Sequence, residues 1–172
     1  MPESGMPCVQ NMGEVMNILA IDPGSENSAV MEWDTESEIN LGSGIWPNEE
    51  VADRLWHGDS FFIPRWSYVL IEGISSYGMP VGKTVFETCI WIGRFIEALR
   101  RCNGQMAVLI YRQAIKMHFC NSIKAKDSNI RQALIDRLGK PGTKSKPGKT
   151  YGITKDEWSS LALAVYWMDT HK

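Results

Sequence analysis

Short, unbroken apolar runs that end on a carboxylate set the rhythm of this chain. Ile18-Leu19-Ala20-Ile21 stops at Asp22, and Tyr68-Val69-Leu70-Ile71 stops at Glu72. Runs of this length without alternation suit strands buried on both faces. The pattern predicts strands over Asn17 to Asp22, Ser28 to Trp33, Glu38 to Ile45, Tyr68 to Ile71 and Ala107 to Tyr111, with the polar turn Asp34-Thr35-Glu36 joining the second and third. Three strands in succession imply an antiparallel meander, and the later strands alternate with helices. The predicted architecture is therefore α/β, a mixed five-stranded sheet flanked by helices.

Helical periodicity fills the remainder. Asn48 to His57 is predicted as a short helix capped by Asn48, with acid in its first turn. Thr84 to Arg101 is predicted as a long one capped by Thr84, its Val85, Cys89, Ile92, Ile96 and Leu99 spaced by four and three. Phe86, Ile90, Trp91 and Phe95 widen that surface beyond one stripe, so this helix is either a core helix or one shared with a partner subunit, and layered folds favour the core. A helical stretch runs to Cys120, and Asp127 to Leu138 is amphipathic through Ile130, Ala133, Leu134 and Leu138. Thr154 to His171 turns Trp158, Leu161, Ala162 and Val165 inward. Residues 1–15 show no periodicity and read as a flexible tail, 16–172 as a single domain, and 139–152 as a Pro- and Gly-rich loop.

Composition narrows the function. A chain of 172 residues with 44% hydrophobic content and seven Trp buries a substantial core. It has no apolar run of the roughly 18 residues a membrane span needs and no signal-peptide layout, so a soluble, cytoplasmic protein is expected. Cys8, Cys89, Cys102 and Cys120 are scattered, and His57, His118 and His171 stand alone, which argues against zinc and against a His-based triad. The net charge of −2 hides an asymmetry: Arg112 to Lys155 holds eleven Lys or Arg and only two acids, Asp127 and Asp136. That density reads as a phosphate-backbone footprint or, more plainly, as a solvated basic face. Gly78 to Thr84 falls one residue short of a phosphate-binding Walker loop, which leaves Lys83 as a candidate DNA-phosphate contact.

The carboxylates carry the chemistry. A charge at the end of a buried strand is costly unless paired or metal-bound, although Asp22-Pro23-Gly24 is also a good turn. Parallel neighbouring strands would set Asp22 beside Glu72, and a helix N-terminus can bring Asp156 to them. Glu157 stands at capping-box spacing from Thr154, so Asp156 is the better ligand of that pair. Carboxylates of this kind suit a hard divalent cation such as magnesium. Two such ions roughly 3.5–4 Å apart activate water in phosphodiester hydrolysis.

Ile18-Leu19-Ala20-Ile21-Asp22-Pro23-Gly24, Val69-Leu70-Ile71-Glu72, Asp127 with Ile130-Arg131-Gln132-Ala133, and Asp156 with Ser160-Leu161-Ala162-Leu163-Ala164 resemble, in order, the RuvC-type Holliday junction resolvases, above all their divergent bacteriophage members. The resemblance spans residues 17–168. It implies a ribonuclease H-like fold, a homodimer, and Mg2+- or Mn2+-dependent nicking of a four-way DNA junction in a bacterial or phage-infected cell. By position, Asp22, Glu72 and Asp156 would be catalytic metal ligands, with two ions per site. Ser159 stands where the family commonly has a fourth acid; Glu157 substitutes, Ser159 or water completes the shell, or the enzyme is weakened. Arg112, Lys116, Lys124, Lys126 and Arg131 would line the approach, and Lys140, Lys144, Lys146 and Lys149 would follow a phosphate backbone. Tyr77 and Phe86 are candidate wedges at the crossover, with plain packing the alternative for Phe86. A nuclease acting on RNA or an RNA/DNA hybrid, and a non-catalytic nucleic-acid- or ATP-binding relative, are the competing readings.

Overall fold

The computed structural model describes residues 16–59, 61, 66–75, 78 and 80–171. Its centre is a five-stranded sheet in the order β3-β2-β1-β4-β5. The strands are β1 (Asn17–Asp22), β2 (Asn27–Asp34), β3 (Ile39–Pro47), β4 (Tyr68–Gly73) and β5 (Val108–Tyr111). β1, β2 and β3 form the expected antiparallel meander, while β1 pairs in parallel with β4, and β4 with β5. Parallel pairing needs crossovers, and helices supply them.

Side-chain alternation divides β1 between two cores. Ile18 and Ala20 face a core completed by α3 (Arg112–Cys120), α4 (Asp127–Leu138) and α5 (Glu157–Thr170). Leu19 and Ile21 face the other, completed by α1 (Asn48–His57) and α2 (Lys83–Asn103). Burial on both sides is why β1 reads as an unbroken apolar run. The same parity puts Asp22 and Glu72, two residues beyond Ala20 and Leu70, on the α5 side of the sheet.

Several local expectations are revised. Asn48 is the first residue of α1 and its side chain does not cap; it is buried, donating to the Gly24 carbonyl at 2.9 Å and accepting from Ser28 Oγ at 2.6 Å. Likewise Gly82, not Thr84, precedes α2, and the Thr84 carbonyl accepts from Thr88 Oγ. α2 is also not wholly a core helix: Ile92, Phe95, Ala98 and Leu99 are buried, whereas Phe86 and Ile90 are each 59% exposed. The residues read as loop from 139 to 152 contain a small hairpin of β6 (Gly142–Thr143) and β7 (Lys146–Pro147). Gly142, within β6, takes a left-handed φ of 76°, and a Cβ on Gly148 would lie 2.2 Å from the Lys140 carbonyl oxygen. The last helix starts at Glu157 rather than Thr154, because the Glu157 carboxylate holds the preceding turn.

Candidate active site

Local structure fixes each carboxylate separately. The chain leaves β1 at Asp22, and the Asp22-Pro23-Gly24 turn is pinned from below by the buried Asn48 amide on the Gly24 carbonyl. Gly24 is required there, since a Cβ would sit 2.3 Å from the Asn27 carbonyl oxygen. The tripeptide thus reverses the chain directly after β1 and leaves Asp22 at the strand end. Glu72 lies next door on β4, as the parallel register from Ile18–Tyr68 to Ile21–Ile71 dictates. Gly73 follows it with the Tyr111 ring packed where a Cβ would meet it at 2.9 Å.

α5 delivers the third acid. Ser160 Oγ donates to the Ala29 carbonyl at 3.0 Å, and Ala29 is the β2 partner of Asp22. That bond moors the first turn of α5 beside the end of β1. Asp156, the N-cap residue, then lies within electrostatic reach of Asp22, and the Ser159 hydroxyl reaches the Asp22 carboxylate. Glu157 turns away: its Oε2 accepts from the Thr154 amide at 2.7 Å and the Thr154 hydroxyl at 2.8 Å. This is the capping contact, and it removes Glu157 from the acid cluster.

Electrostatics reflects the crowding. Burial, then the neighbouring Glu72 and Asp156, push the Asp22 carboxyl up to about 8, against the opposing pull of Arg112 and Ser159. Burial also raises Glu72, although Arg112 and Lys116 work against it. Arg112 is the residue whose role the sequence did not reveal. Its Nη1 donates to both Glu72 oxygens, at 2.8 and 3.1 Å, and its Nη2 to Asp127 on α4. Burial disfavours its charge, but Glu72 and Asp127 more than offset that and hold it firmly protonated. A signal existed in retrospect: Arg112 opens α3 directly after β5, whose Ile110 pairs with Glu72.

Two hollows meet at the cluster. A cleft of about 340 Å³ is lined by Glu72, Arg112, Asp127, Arg131, Lys155 and Ser159 among others, over an apolar floor of Ile115, Ile130 and Ala162. A second runs along Asp22 and the Pro23–Asn27 turn, and Asp156 lines both. Arg131 lies over the Trp158 ring, 4.8 Å from its centroid. Lys116 is half-buried near Glu72, while Lys124 and Lys126 are exposed beyond it. Lys140, Lys144 and Lys146 stand exposed on or beside the hairpin, and Lys149 is held at 3.2 Å by Glu38. Lys83 lies at the start of α2 and pairs at 3.3 Å with Glu87 on its own helix. Tyr77 lies outside the described residues.

The acids present the all-oxygen donor set that a hard divalent cation takes, and Asp22's raised pKa marks negative charge that the protein itself leaves undercompensated. Among the described residues no three His, Cys, Asp or Glu side chains close on a single point, and Glu72 is turned into Arg112. No described helix is long and apolar enough to cross a membrane.

No protein-family model and no curated protein sequence matches the chain. Solved structures do. Thermus thermophilus RuvC superposes with a TM-score of 0.65 at 14% identity, over 90% of this chain and 96% of that one. T. thermophilus RuvC in complex with Holliday junction substrate gives 0.63 at 14% identity, over 91% and 96%. By these superpositions and its sheet order, the chain has a divergent RuvC-like, ribonuclease H-like fold.

Proposed function

We propose that this protein is a metal-dependent, structure-selective DNA endonuclease that resolves four-way junctions. The observation that carries the reading is that Glu72 and Asp156, from a parallel strand end and a helix start, both lie within electrostatic reach of Asp22, beside a cleft that Arg112, Arg131 and Lys155 help line, on a RuvC-like fold. Asp22, Glu72 and Asp156 would hold Mg2+ or Mn2+, two ions per site, with the Ser159 hydroxyl or water in place of a fourth acid. Bound ions would activate water and stabilise the leaving oxygen of the phosphodiester. Glu72 is buried and Asp22 half-buried, which keeps them short of competing solvent donors, and the Ser160–Ala29 bond sets Asp156 near Asp22. Arg131, Lys116, Lys124 and Lys126, with Lys140, Lys144, Lys146 and Lys149 on the hairpin side, would contact backbone phosphates, which position a branched shape without reading its sequence.

The exposed Phe86 and Ile90 on α2, one turn apart, supply an apolar face suited to a second copy of the chain, as a homodimer acting on two strands requires. A synthetic four-way junction, incubated with and without Mg2+ beside linear duplex and RNA/DNA hybrid, tests the reading, with sedimentation of the same sample reporting the dimer. Metal-dependent, paired nicking of the junction alone is expected. Preferential cleavage of the hybrid, or no metal-stimulated cleavage of any substrate, overturns it.

A further inference from the structure

Glu72 differs from the other two acids in having both oxygens already engaged. Arg112 Nη1 donates to Oε1 at 2.8 Å and to Oε2 at 3.1 Å. We propose that Arg112 is an internal counter-cation that gates metal loading: its guanidinium occupies the Glu72 carboxylate, and a divalent ion gains that carboxylate only by displacing it. The inference rests on the assignment of Glu72 as a metal ligand.

Three features carry it. The contact is shielded, with side-chain exposures of 28% for Arg112 and 10% for Glu72, so neither salt nor water competes with it as at an open surface. It is also charge-assisted, with one guanidinium nitrogen straddling both carboxylate oxygens. Finally, Arg112 has a second seat. Its Nη2 is bonded to Asp127, whose side chain is 76% exposed at the start of α4, on the far wall of the cleft from α5. A displaced guanidinium therefore keeps one carboxylate partner instead of losing both. Because Arg112 opens α3 one strand away from Glu72, its backbone need not move for the exchange. The freed Nη1 would then face the cleft that Ser159 and Asp156 also line, where a phosphate oxygen is a natural acceptor. Arg112 is thus a positioning residue that holds Glu72 ready, rather than one more free phosphate contact.

Calorimetric titration of the full chain with Mn2+ tests this without any substrate. Arg112→Gln should bind Mn2+ about tenfold more tightly than wild type, the scale of one charge-assisted contact no longer broken on loading. Arg112→Lys, which keeps the charge but cannot hold Glu72 and Asp127 through two separate nitrogens, should fall between the two. Arg131→Gln, a neutralisation in the same cleft without contact to Glu72, should stay within about twofold of wild type. In metal-free melts Arg112→Gln should unfold at lower temperature and regain the difference when Mn2+ is added. Equal or weaker Mn2+ affinity in both Arg112 variants, or equal tightening by Arg131→Gln, overturns the gate and leaves the metal site standing. Absence of Mn2+ binding in wild type and all variants overturns the metal site itself.

Discussion

Glu32 and Asp22 are carboxylates on paired strands, β2 and β1, and both are taken out of water, yet their surroundings are opposite in kind. Glu32 points to the α1–α2 side, where its Oε1 accepts from the Trp66 indole at 2.6 Å and the Phe61 amide at 3.2 Å. Asp22 points to the α5 side, where a hydroxyl, two further acids and a distant guanidinium surround it. One buried charge accepts bonds from an indole and a backbone amide and knits strand to loop. The other is left with a surplus of like charge, which no folding advantage explains. On the proposed function, that difference marks the costly carboxylate as the one held for a ligand.

The largest effect should come from neutralising the unsatisfied acid. Asp22→Asn keeps the shape of the side chain and removes a ligand charge, so junction cleavage should fall by roughly a thousandfold or more, about 4 kcal/mol in the barrier. Junction binding should stay within about threefold, because the proposed backbone contacts lie on Arg131 and the lysines rather than on Asp22. Gel-shift and cleavage assays on one preparation separate the two. Wild-type cleavage by Asp22→Asn would remove Asp22 from the metal set.

The same substitution should act in the opposite direction on stability. A carboxyl raised to about 8 in the fold keeps its proton while the unfolded chain, with an ordinary value near 4, has lost it. Between those values the folded state binds more protons, so the metal-free protein loses stability as pH rises from about 4 to about 8, after which the loss is complete. Asp22→Asn lacks that penalty. Its metal-free melt should match wild type near pH 4 and exceed it by on the order of 3 kcal/mol at pH 8, with residual solvation and the coupled Glu72 reducing the full linkage value. Parallel melting curves at every pH would show that Asp22 carries no such penalty.

Sequence pattern located what burial alone determines and missed what only convergence creates. β1 and α4 fall at their predicted limits because an unbroken apolar run and a clean 3.6-residue period are local signals. Asn48 looked like a cap because its type and position fit one; its actual partners, Gly24 and Ser28, lie more than 19 residues away. The β6–β7 hairpin has no hydrophobic face, so alternation could not announce it. Arg112 counted as one cation in a basic stretch, and its contact with Glu72 spans 40 residues. Glu32 passed unnoticed inside an apolar strand, since nothing adjacent in sequence hints at the Trp66 indole that meets it.

Glu32 supplies the smallest and most discriminating change. Glu32→Gln keeps the length and one acceptor oxygen but gives up the charge-assisted character of the bonds from Trp66 and Phe61, and it places a new NH2 in a fully buried site. The expected cost is about 1–3 kcal/mol of folding stability, read from denaturant midpoints at pH 7. Mn2+ affinity and the junction-cleavage rate, measured below the melting transition, should stay within about twofold of wild type, because Glu32 faces the α1–α2 core and the acid cluster faces α5. A stabilising Glu32→Gln would mean that its charge, like that of Asp22, is a burden kept for some other purpose, and the contrast between the two carboxylates would collapse. A destabilised variant with intact metal binding assigns Glu32 to the scaffold and leaves Asp22 as the acid whose cost is met by chemistry.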